Sequence, residues 1–146
     1  MRRSIVALTL LLGLGACEQP TYVPMASPRQ DAIGEQFRPP PPGYAAIYFF
    51  NPTAIGPALR VIVNGQELGV LGTQTWMRAE FAAGPHNIRC TGGQSSNMVQ
   101  VVLKPGEMRY FDYEMSPGQT VCTVREVGPD LGRGAVMNSA RAYQGR

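Results

Sequence analysis

Short apolar segments recur along residues 44–127, and turn-forming residues separate them at intervals of about ten residues. In residues 75–82, apolar and polar side chains alternate with a period of two, which is typical of a strand that buries one face. The dipeptide Asn64-Gly65 lies between two apolar segments, and it strongly indicates a tight β-hairpin. The pattern therefore indicates antiparallel strands joined by short turns.

These segments predict eight strands. They cover residues 44–50, 59–63, 66–71, 75–82, 86–91, 98–103, 108–115 and 119–127. Eight short strands with turn signals between them favour two packed antiparallel sheets. We therefore expect an all-β fold, a small antiparallel sandwich of seven or eight strands, with Gly84-Pro85 turning the chain into the fifth strand.

The segments on either side of the predicted sandwich lack this pattern. Residues 17–43 contain few large apolar side chains and include the run Pro39-Pro40-Pro41-Pro42, which predicts a disordered tether with a stiff polyproline end. Such a tether would act as a spacer; a proline-rich docking ligand is the alternative. Residues 128–146 predict a short, marginal helix capped by Asp130, followed by a loose tail.

The first sixteen residues have the order of a secretory signal. Arg2 and Arg3 precede an apolar run over residues 5–14, and two small residues follow that run. As a helix, residues 5–16 would be about 18 Å long, whereas the hydrocarbon core of a bilayer is about 30 Å thick. Because this segment is too short to span a membrane, we expect it to be removed.

The tetrapeptide Leu14-Gly15-Ala16-Cys17 resembles the lipobox of bacterial lipoproteins. In that family the cysteine thiol receives a diacylglyceryl group, the signal is cleaved before the cysteine, and the new amine is usually acylated. The resemblance implies a lipid anchor on Cys17 and a place in the bacterial cell envelope, facing the periplasm. Glu18 stands where some inner-membrane lipoproteins have Asp, which favours the outer membrane. Plain secretion, with a cysteine near the cleavage site by chance, is the alternative.

Removal of residues 1–16 would leave 130 of the 146 residues, enough for one modest domain. The formal charge would fall from +3 to near +1, because Arg2 and Arg3 leave with the signal. Nucleic-acid-binding domains concentrate Lys and Arg on one face. The near-neutral balance therefore predicts no nucleic-acid partner.

The two remaining cysteines, Cys90 and Cys122, would then lie in an oxidising compartment, where paired thiols tend to form a disulfide. Each falls in a predicted strand, with its side chain on the same side as an apolar neighbour, Ile88 or Val124. We therefore expect a disulfide between them. A pair of buried free thiols is the alternative.

Three segments carry turn signals at a recurring spacing: residues 61–69 with a hairpin signal, residues 81–88 with a turn before a histidine, and residues 101–106 with a Pro-Gly turn. Together they resemble a recurring pattern of PEGA-type domains and of an uncharacterised family of exported bacterial domains built alike. The resemblance covers residues 44–127 and implies an immunoglobulin-like sandwich without catalytic residues. It departs from the pattern at Gly84-Pro85-His86, where Gly and Pro are reversed and a spacer is missing.

The sequence contains no cluster typical of a catalytic or metal centre. His86 is the only histidine, and it follows a predicted tight turn, where a structural role is favoured over general base catalysis. No nucleophile motif accompanies it, and one histidine with two distant cysteines makes no zinc ligand set. We expect neither a cofactor nor a metal ion.

Asp112 and Glu114 lie two residues apart, on one face of a predicted strand. Two carboxylates on the wall of a cleft can hydrolyse a glycosidic bond when the carboxyl groups lie about 5–9.5 Å apart. A solvated sheet face is the interpretation that this pattern favours. A small envelope enzyme acting on cell-wall glycan, with these residues as acid and base, is therefore the alternative function.

The candidate binding residues are aromatic and arginine side chains, which are the usual anchors of interfaces. They are Trp76, Arg78, Arg109, Tyr110 and Tyr113. For Trp76, a position that caps one end of the core is favoured, and an anchor for a partner is the alternative. We expect a non-catalytic binding or structural module, anchored to a membrane and docking to an envelope protein or glycan.

Overall fold

The computed structural model of the chain describes residues 23–92, 95–116 and 121–144. Within these ranges the chain forms two helices and ten strands. In chain order they are α1 (Pro28–Gly34), β1 (Tyr44–Asn51), β2 (Leu59–Val63), β3 (Gln66–Leu71), β4 (Thr75–Ala82), β5 (Gly84–Thr91), β6 (Ser95–Ser96), β7 (Met98–Leu103), β8 (Met108–Met115), β9 (Val121–Val127), α2 (Pro129–Met137) and β10 (Ala140–Arg141). The predicted signal, Cys17 and the first part of the predicted tether lie outside the described residues.

The strands form two sheets that pack face to face, which confirms the predicted all-β sandwich. The first sheet has six strands in the order β10-β4-β1-β8-β9-β6, and the second has four in the order β3-β2-β5-β7. Apolar side chains from both sheets fill the space between them. Among these core residues are Ile47, Phe49, Leu59, Val61, Leu71, Met77, Ile88, Leu103, Phe111, Tyr113 and Val124.

The first sheet is mixed rather than wholly antiparallel. Its central neighbours, β1 and β8, run parallel, with Tyr48 opposite Tyr110. Every residue of β1 after Tyr44 is buried, so this strand is covered on both faces. A strand buried on both faces is typical of a parallel pairing, and its sequence is then a continuous apolar run rather than an alternating one.

The predicted hairpin and most predicted strand ends are confirmed. Asn64 and Gly65 both have positive φ, 52° and 81°, as the tight turn between β2 and β3 requires. The predicted turn at Gly84-Pro85 is wrong, because both residues pair with β7 and belong to β5. Proline is tolerated there because it lies near the start of the strand.

The outer face of the six-stranded sheet carries a second buried cluster, which we call the aromatic layer. Its buried members are Tyr48, Phe50, Trp76, Tyr110 and Val136. Helix α2 supplies Val136, and Phe37, which follows α1, packs on the layer from outside. The protein therefore has three layers: the helices, the six-stranded sheet and the four-stranded sheet.

The predicted disordered tether is wrong for residues 23–43, which fold onto this face. Helix α1 begins with a reciprocal cap, in which Gln30 N donates to Ser27 Oγ at 3.3 Å and Ser27 N donates to Gln30 Oε1 at 3.0 Å. At its other end, Gly34 lies directly against the Trp76 indole, where any larger residue would collide. Capping and close packing thus overcome a composition typical of a tether.

The C-terminal segment is also more ordered than predicted. Helix α2 begins at Pro129 after the N-cap Gly128, and Asp130 lies in the first turn rather than at the cap. After α2, β10 pairs in parallel with β4, and Ala142 forms a bridge with Met25. Through residue 144 this segment is therefore part of the folded body and not a loose tail.

No helix in the described part of the chain is both long enough and apolar enough to cross a bilayer.

The disulfide between Cys90 and Cys122 links the two sheets. Cys90 lies on β5 and Cys122 on β9, 32 residues apart in sequence, and their Cα atoms are 5.7 Å apart. Both residues are fully buried. This confirms the predicted pairing and shows that it closes the sandwich across its core.

We predict that replacing both cysteines by alanine lowers the free energy of unfolding by about 3–4 kcal/mol, because the unfolded chain regains the entropy of an open loop. Urea unfolding followed by circular dichroism measures the change. Wild-type protein unfolded with a reductant should match the double variant. Equal midpoints for the variant and the oxidised wild type would contradict the prediction.

A second prediction concerns two glycines of α2. Gly132 lies against the Tyr110 ring, so a Cβ there would collide with it, whereas Gly134 has no heavy atom within 4 Å of such a Cβ. Gly132→Ala should lower the free energy of unfolding by about 1–3 kcal/mol through overpacking. Gly134→Ala is the matched control and should raise it by up to about 1 kcal/mol through helix propensity. Equal effects of the two substitutions in urea unfolding would show that α2 does not pack as described.

Candidate functional site

Three of the five predicted binding residues are buried. Trp76 and Tyr110 lie in the aromatic layer, and Tyr113 lies in the core between the sheets. Trp76 and Tyr113 have no exposed surface, and Tyr110 is 1% exposed. The prediction of an exposed aromatic binding face is therefore wrong for these residues, because the helices and the second sheet cover them. For Trp76, the favoured core position agrees with its burial.

Arg109 is held by two glutamates. Its Nη2 donates to Glu126 Oε2 at 2.6 Å, its Nε also contacts Glu126, and its Nη1 lies 3.3 Å from Glu107 Oε2. The hydrogen bond to Glu126 is the largest cause that raises the pKa of Arg109. Arg109 and Glu126 lie on the adjacent strands β8 and β9, so we assign this pair a cross-strand role.

The carboxylates Asp112 and Glu114 both face Arg125 on the neighbouring strand. Arg125 donates to Asp112 Oδ2 from Nε at 2.9 Å and from Nη2 at 2.7 Å, and its Nη2 lies 3.8 Å from Glu114 Oε2. Burial raises the pKa of Asp112, and Arg125 opposes that rise. The arrangement is that of an ion pair between a buried carboxylate and an exposed arginine, so the solvated face expected from the sequence is wrong for Asp112, which is 2% exposed. The alternative enzyme function stays a prediction.

His86 connects two turns. Its Nε2 lies 2.9 Å from the carbonyl oxygen of Ala82, which only accepts, so we assign the proton to Nε2. Its Nδ1 then accepts from Asn64 Nδ2 at 2.9 Å. The ring also packs on Phe81, with centroids 5.3 Å apart. These contacts favour the structural role expected for this residue.

Arg78, the fifth predicted residue, lines a cavity of about 390 Å³. The end of α1 and the proline segment after it form one wall, and β1, β4 and β10 form the other. Two further arginines, Arg38 and Arg141, line the same cavity, together with Tyr48 and Glu80. We call this the arginine cavity. It is the candidate functional site, because it gathers three arginines and a glutamate around a single concave space.

Aromatic rings of the layer support two of these guanidinium groups. The Arg78 guanidinium lies 5.7 Å from the centre of the Tyr48 ring, and the Arg141 guanidinium lies 5.1 Å from the centre of the Trp76 ring. The Tyr48 and Trp76 rings are themselves neighbours, with centroids 5.8 Å apart. The two guanidinium groups thus lie over two neighbouring buried rings.

Main-chain carbonyl groups fix both guanidinium groups further. Arg78 Nη2 donates to the carbonyl oxygen of Arg38 at 3.2 Å, and Arg141 Nη1 donates to that of Gln30 at 2.6 Å. Arg78 Nη1 also pairs with Glu80 Oε1 at 2.7 Å. The pKa of Arg141 is lowered, first by burial and then by the positive charge of Arg78.

Arg38 and Arg141 are functional residues that the sequence does not predict. Both come from the segments predicted to be a tether and a tail, and neither residue has a distinctive pattern around it. One signal could have predicted helix α1, which forms part of the cavity. Ser27, Pro28 and Gln30 form a capping sequence with proline at the first helical position. No comparable signal predicts the position of Arg141, which depends on the pairing of β10 with β4.

Within residues 23–92, 95–116 and 121–144, no group of three or more His, Cys, Asp or Glu side chains is arranged to hold a metal ion.

Comparison with known proteins gives one distant similarity. An uncharacterized protein of Haemophilus influenzae is 29% identical to this chain over 112 residues, which are 75% of this chain and 63% of that protein. The chain thus spans less than two thirds of the length of that relative. No family model and no solved structure matches the chain. The resemblances to lipoproteins and to PEGA-type domains therefore stay predictions.

The ion pair between Arg125 and Asp112 leads to a prediction about pH. In Arg125→Gln the pKa of Asp112 should rise further, because burial then acts without the opposing cation. A raised pKa means that the folded state holds its proton where the unfolded state has lost it, so folding weakens as the pH rises through that pKa. We expect a loss of about 1–3 kcal/mol at pH 7 that shrinks toward pH 4.

Urea unfolding of Arg125→Gln and of the wild type at several pH values measures this loss. The double variant Arg125→Gln, Asp112→Asn is the control and should show no such dependence on pH, since the titrating carboxyl is gone. A loss that is equal at pH 4 and pH 7 in the single variant would contradict the prediction.

Proposed function

We propose that this protein is a lipid-anchored module of the bacterial cell envelope, and that its sandwich binds or supports other envelope components without catalysing a reaction. The observation that carries the proposal is the lipobox-like sequence Leu14-Gly15-Ala16-Cys17, which lies shortly before the folded body. Acylation of Cys17 would place that body at a membrane surface, with the periplasm around it and the outer membrane favoured by Glu18.

The disulfide supports this location. Cys90 and Cys122 are joined across the core, and structural disulfides are typical of proteins in oxidising compartments such as the bacterial periplasm. In a reducing cytosol the same two residues would tend to remain thiols. The bond therefore fits an exported protein.

The fold shortens the distance at which the proposed anchor would hold the body from the membrane. The described body begins at Val23, whose side chain is packed into the core at 6% exposure. Only five residues separate it from Cys17, and a fully extended chain over this distance reaches about 20 Å at most. The proposed anchor therefore holds the body close to the lipid surface and not at the end of a long stalk.

The proposal that the protein is not catalytic is supported by the bonding of the side chains that resemble catalytic residues. These side chains already bond to other groups of the fold. His86 bonds to the hairpin at Asn64 and to the end of β4, and the buried carboxylate of Asp112 is paired with Arg125. Both residues therefore have structural partners within the fold. The arginine cavity, in contrast, offers positive charge and aromatic support, which are features of a binding site.

We predict that a clickable palmitate analogue labels the wild-type protein in a bacterial host that processes lipoproteins, and that Cys17→Ala loses the label, because no thiol remains to be acylated. The double variant Cys90→Ala, Cys122→Ala is the matched control and should keep it. Mass spectrometry of the purified wild type should find Cys17 as an acylated first residue. An intact Met1 or a free Cys17 thiol would overturn the proposal.

A further inference from the structure

The charges around the arginine cavity are unbalanced. Three arginines and one glutamate line it, so the lining carries two net positive charges. The glutamate, Glu80, is already paired with Arg78. Among the described residues, no carboxylate oxygen lies within 4.0 Å of the guanidinium nitrogens of Arg38 or Arg141. The cavity thus concentrates positive charge, which Asp31 offsets in part by accepting from the main-chain N of Arg141 at 3.0 Å.

The polar edges of these arginines also have unused hydrogen-bonding capacity. Each guanidinium group has five N–H donors, and the contacts of Arg78 use its two terminal nitrogens. Arg78 Nε is buried and has no hydrogen-bond partner among the described residues. A buried donor without a partner is costly, and a ligand oxygen would remove that cost.

From this arrangement we propose that the arginine cavity binds a phosphate group. Paired guanidinium groups recognise the oxygens of phosphate through parallel N–H donors. A phosphate monoester carries about −1.5 to −2 charges at pH 7, which matches the two net positive charges of the lining, whereas a carboxylate would leave one of them unbalanced. The repulsion between Arg78 and Arg141, which contributes to the lowered pKa of Arg141, is relieved when an anion lies between them.

The volume and the lining of the cavity indicate what the rest of the ligand, beyond its phosphate group, is like. Its volume of about 390 Å³ lies in the range of small-molecule sites, roughly 300–1,000 Å³. Ile33 and the segment from Pro39 to Pro41 add apolar surface to the lining. The phosphate monoester is therefore carried by a molecule with a small apolar part, either a soluble ester or a lipid whose headgroup is a phosphate monoester, such as phosphatidic acid.

Trp76 provides a local probe of binding. It is the only tryptophan in the sequence, and the Arg141 guanidinium lies over its ring. A ligand that binds the Arg141 guanidinium therefore changes the environment of the Trp76 ring. We expect inorganic phosphate and glycerol 3-phosphate to change the tryptophan fluorescence of the full chain in mild nonionic detergent along a saturating curve, while acetate and chloride at equal ionic strength do not.

The variants identify the site. Arg78→Gln and Arg38→Gln should each weaken phosphate binding by about tenfold or more, because each removes a charged donor. Arg38 is exposed, so its substitution leaves the fold intact. Arg60→Gln, on β2 of the other sheet, is the matched control: its side chain is 63% exposed, and it should bind phosphate like the wild type. Unfolding in urea confirms that each variant is folded.

Three results would overturn the proposal. They are the absence of a saturating response to phosphate, an equal affinity for acetate, and an equal loss of binding in Arg60→Gln and Arg78→Gln. Because the measurement uses the full chain in detergent, it does not depend on acylation of Cys17. Failure of this site and failure of the proposed anchor are therefore separate findings.

Two arms distinguish the source of the phosphate once the site is established. The full chain is reconstituted into vesicles of phosphatidylcholine, with and without phosphatidic acid. If phosphatidic acid changes the Trp76 fluorescence of the wild type but not of Arg78→Gln, the proposal is supported with a lipid headgroup as the ligand. If only soluble phosphate gives this difference between the two proteins, the proposal is supported with a soluble ester.

Discussion

The stacked rings of Tyr48 and Tyr110 hold the two ends of the described chain against the sheet. Their centroids are 5.2 Å apart and their planes are inclined by only 17°, because the parallel register of β1 and β8 places the two residues side by side. Tyr48 OH donates to the carbonyl oxygen of Gly34 at 3.0 Å, and Tyr110 OH accepts from Arg133 Nε at 3.2 Å. One ring thus positions α1 and the other positions α2.

This dependence extends to the arginine cavity. Its arginines come from three parts of the chain that meet only when α1 and β10 are both in place: Arg38 follows α1, Arg78 lies on β4, and Arg141 lies on β10. Arg141 in turn binds the carbonyl oxygen of Gln30 within α1. The chain ends and the cavity are therefore parts of one unit, and a change that frees α1 would also open the cavity.

The sequence predicts the strands well because each strand pattern is local. The bounds of β2, β3, β4, β7 and β8 agree with those expected, and the hairpin at Asn64-Gly65 follows from a two-residue signal. The pairing of Cys90 with Cys122 could be predicted from compartment and strand position. What the pattern of a single strand does not contain is the identity of its neighbours, so the parallel pairing of β1 with β8 was not predicted.

The face of β4 that bears Trp76 and Arg78 was predicted to be an exposed binding face, but it is covered. The reason for this error is chemical. An aromatic and arginine-rich face is typical of an interface, and the face of β4 that bears Trp76 and Arg78 does form one. The partner, however, is the same chain: α1 from the segment interpreted as a tether and α2 from the C-terminal segment. Composition alone cannot distinguish an intramolecular interface from an intermolecular one, because both bury the same side chains by the same physical effect.

The ordering of residues 23–43 also changes which partners suit the proposed anchor. A flexible chain of 26 residues would have let the domain sample positions far from the bilayer, with about 28 Å as its average span. With the body beginning at Val23, the available length is about 20 Å even when fully extended. On the proposed anchor, the domain then acts within the zone of lipid headgroups and of components bound to that surface. A cavity that combines arginines with an apolar proline segment suits that zone, because amphiphilic phosphates are concentrated there.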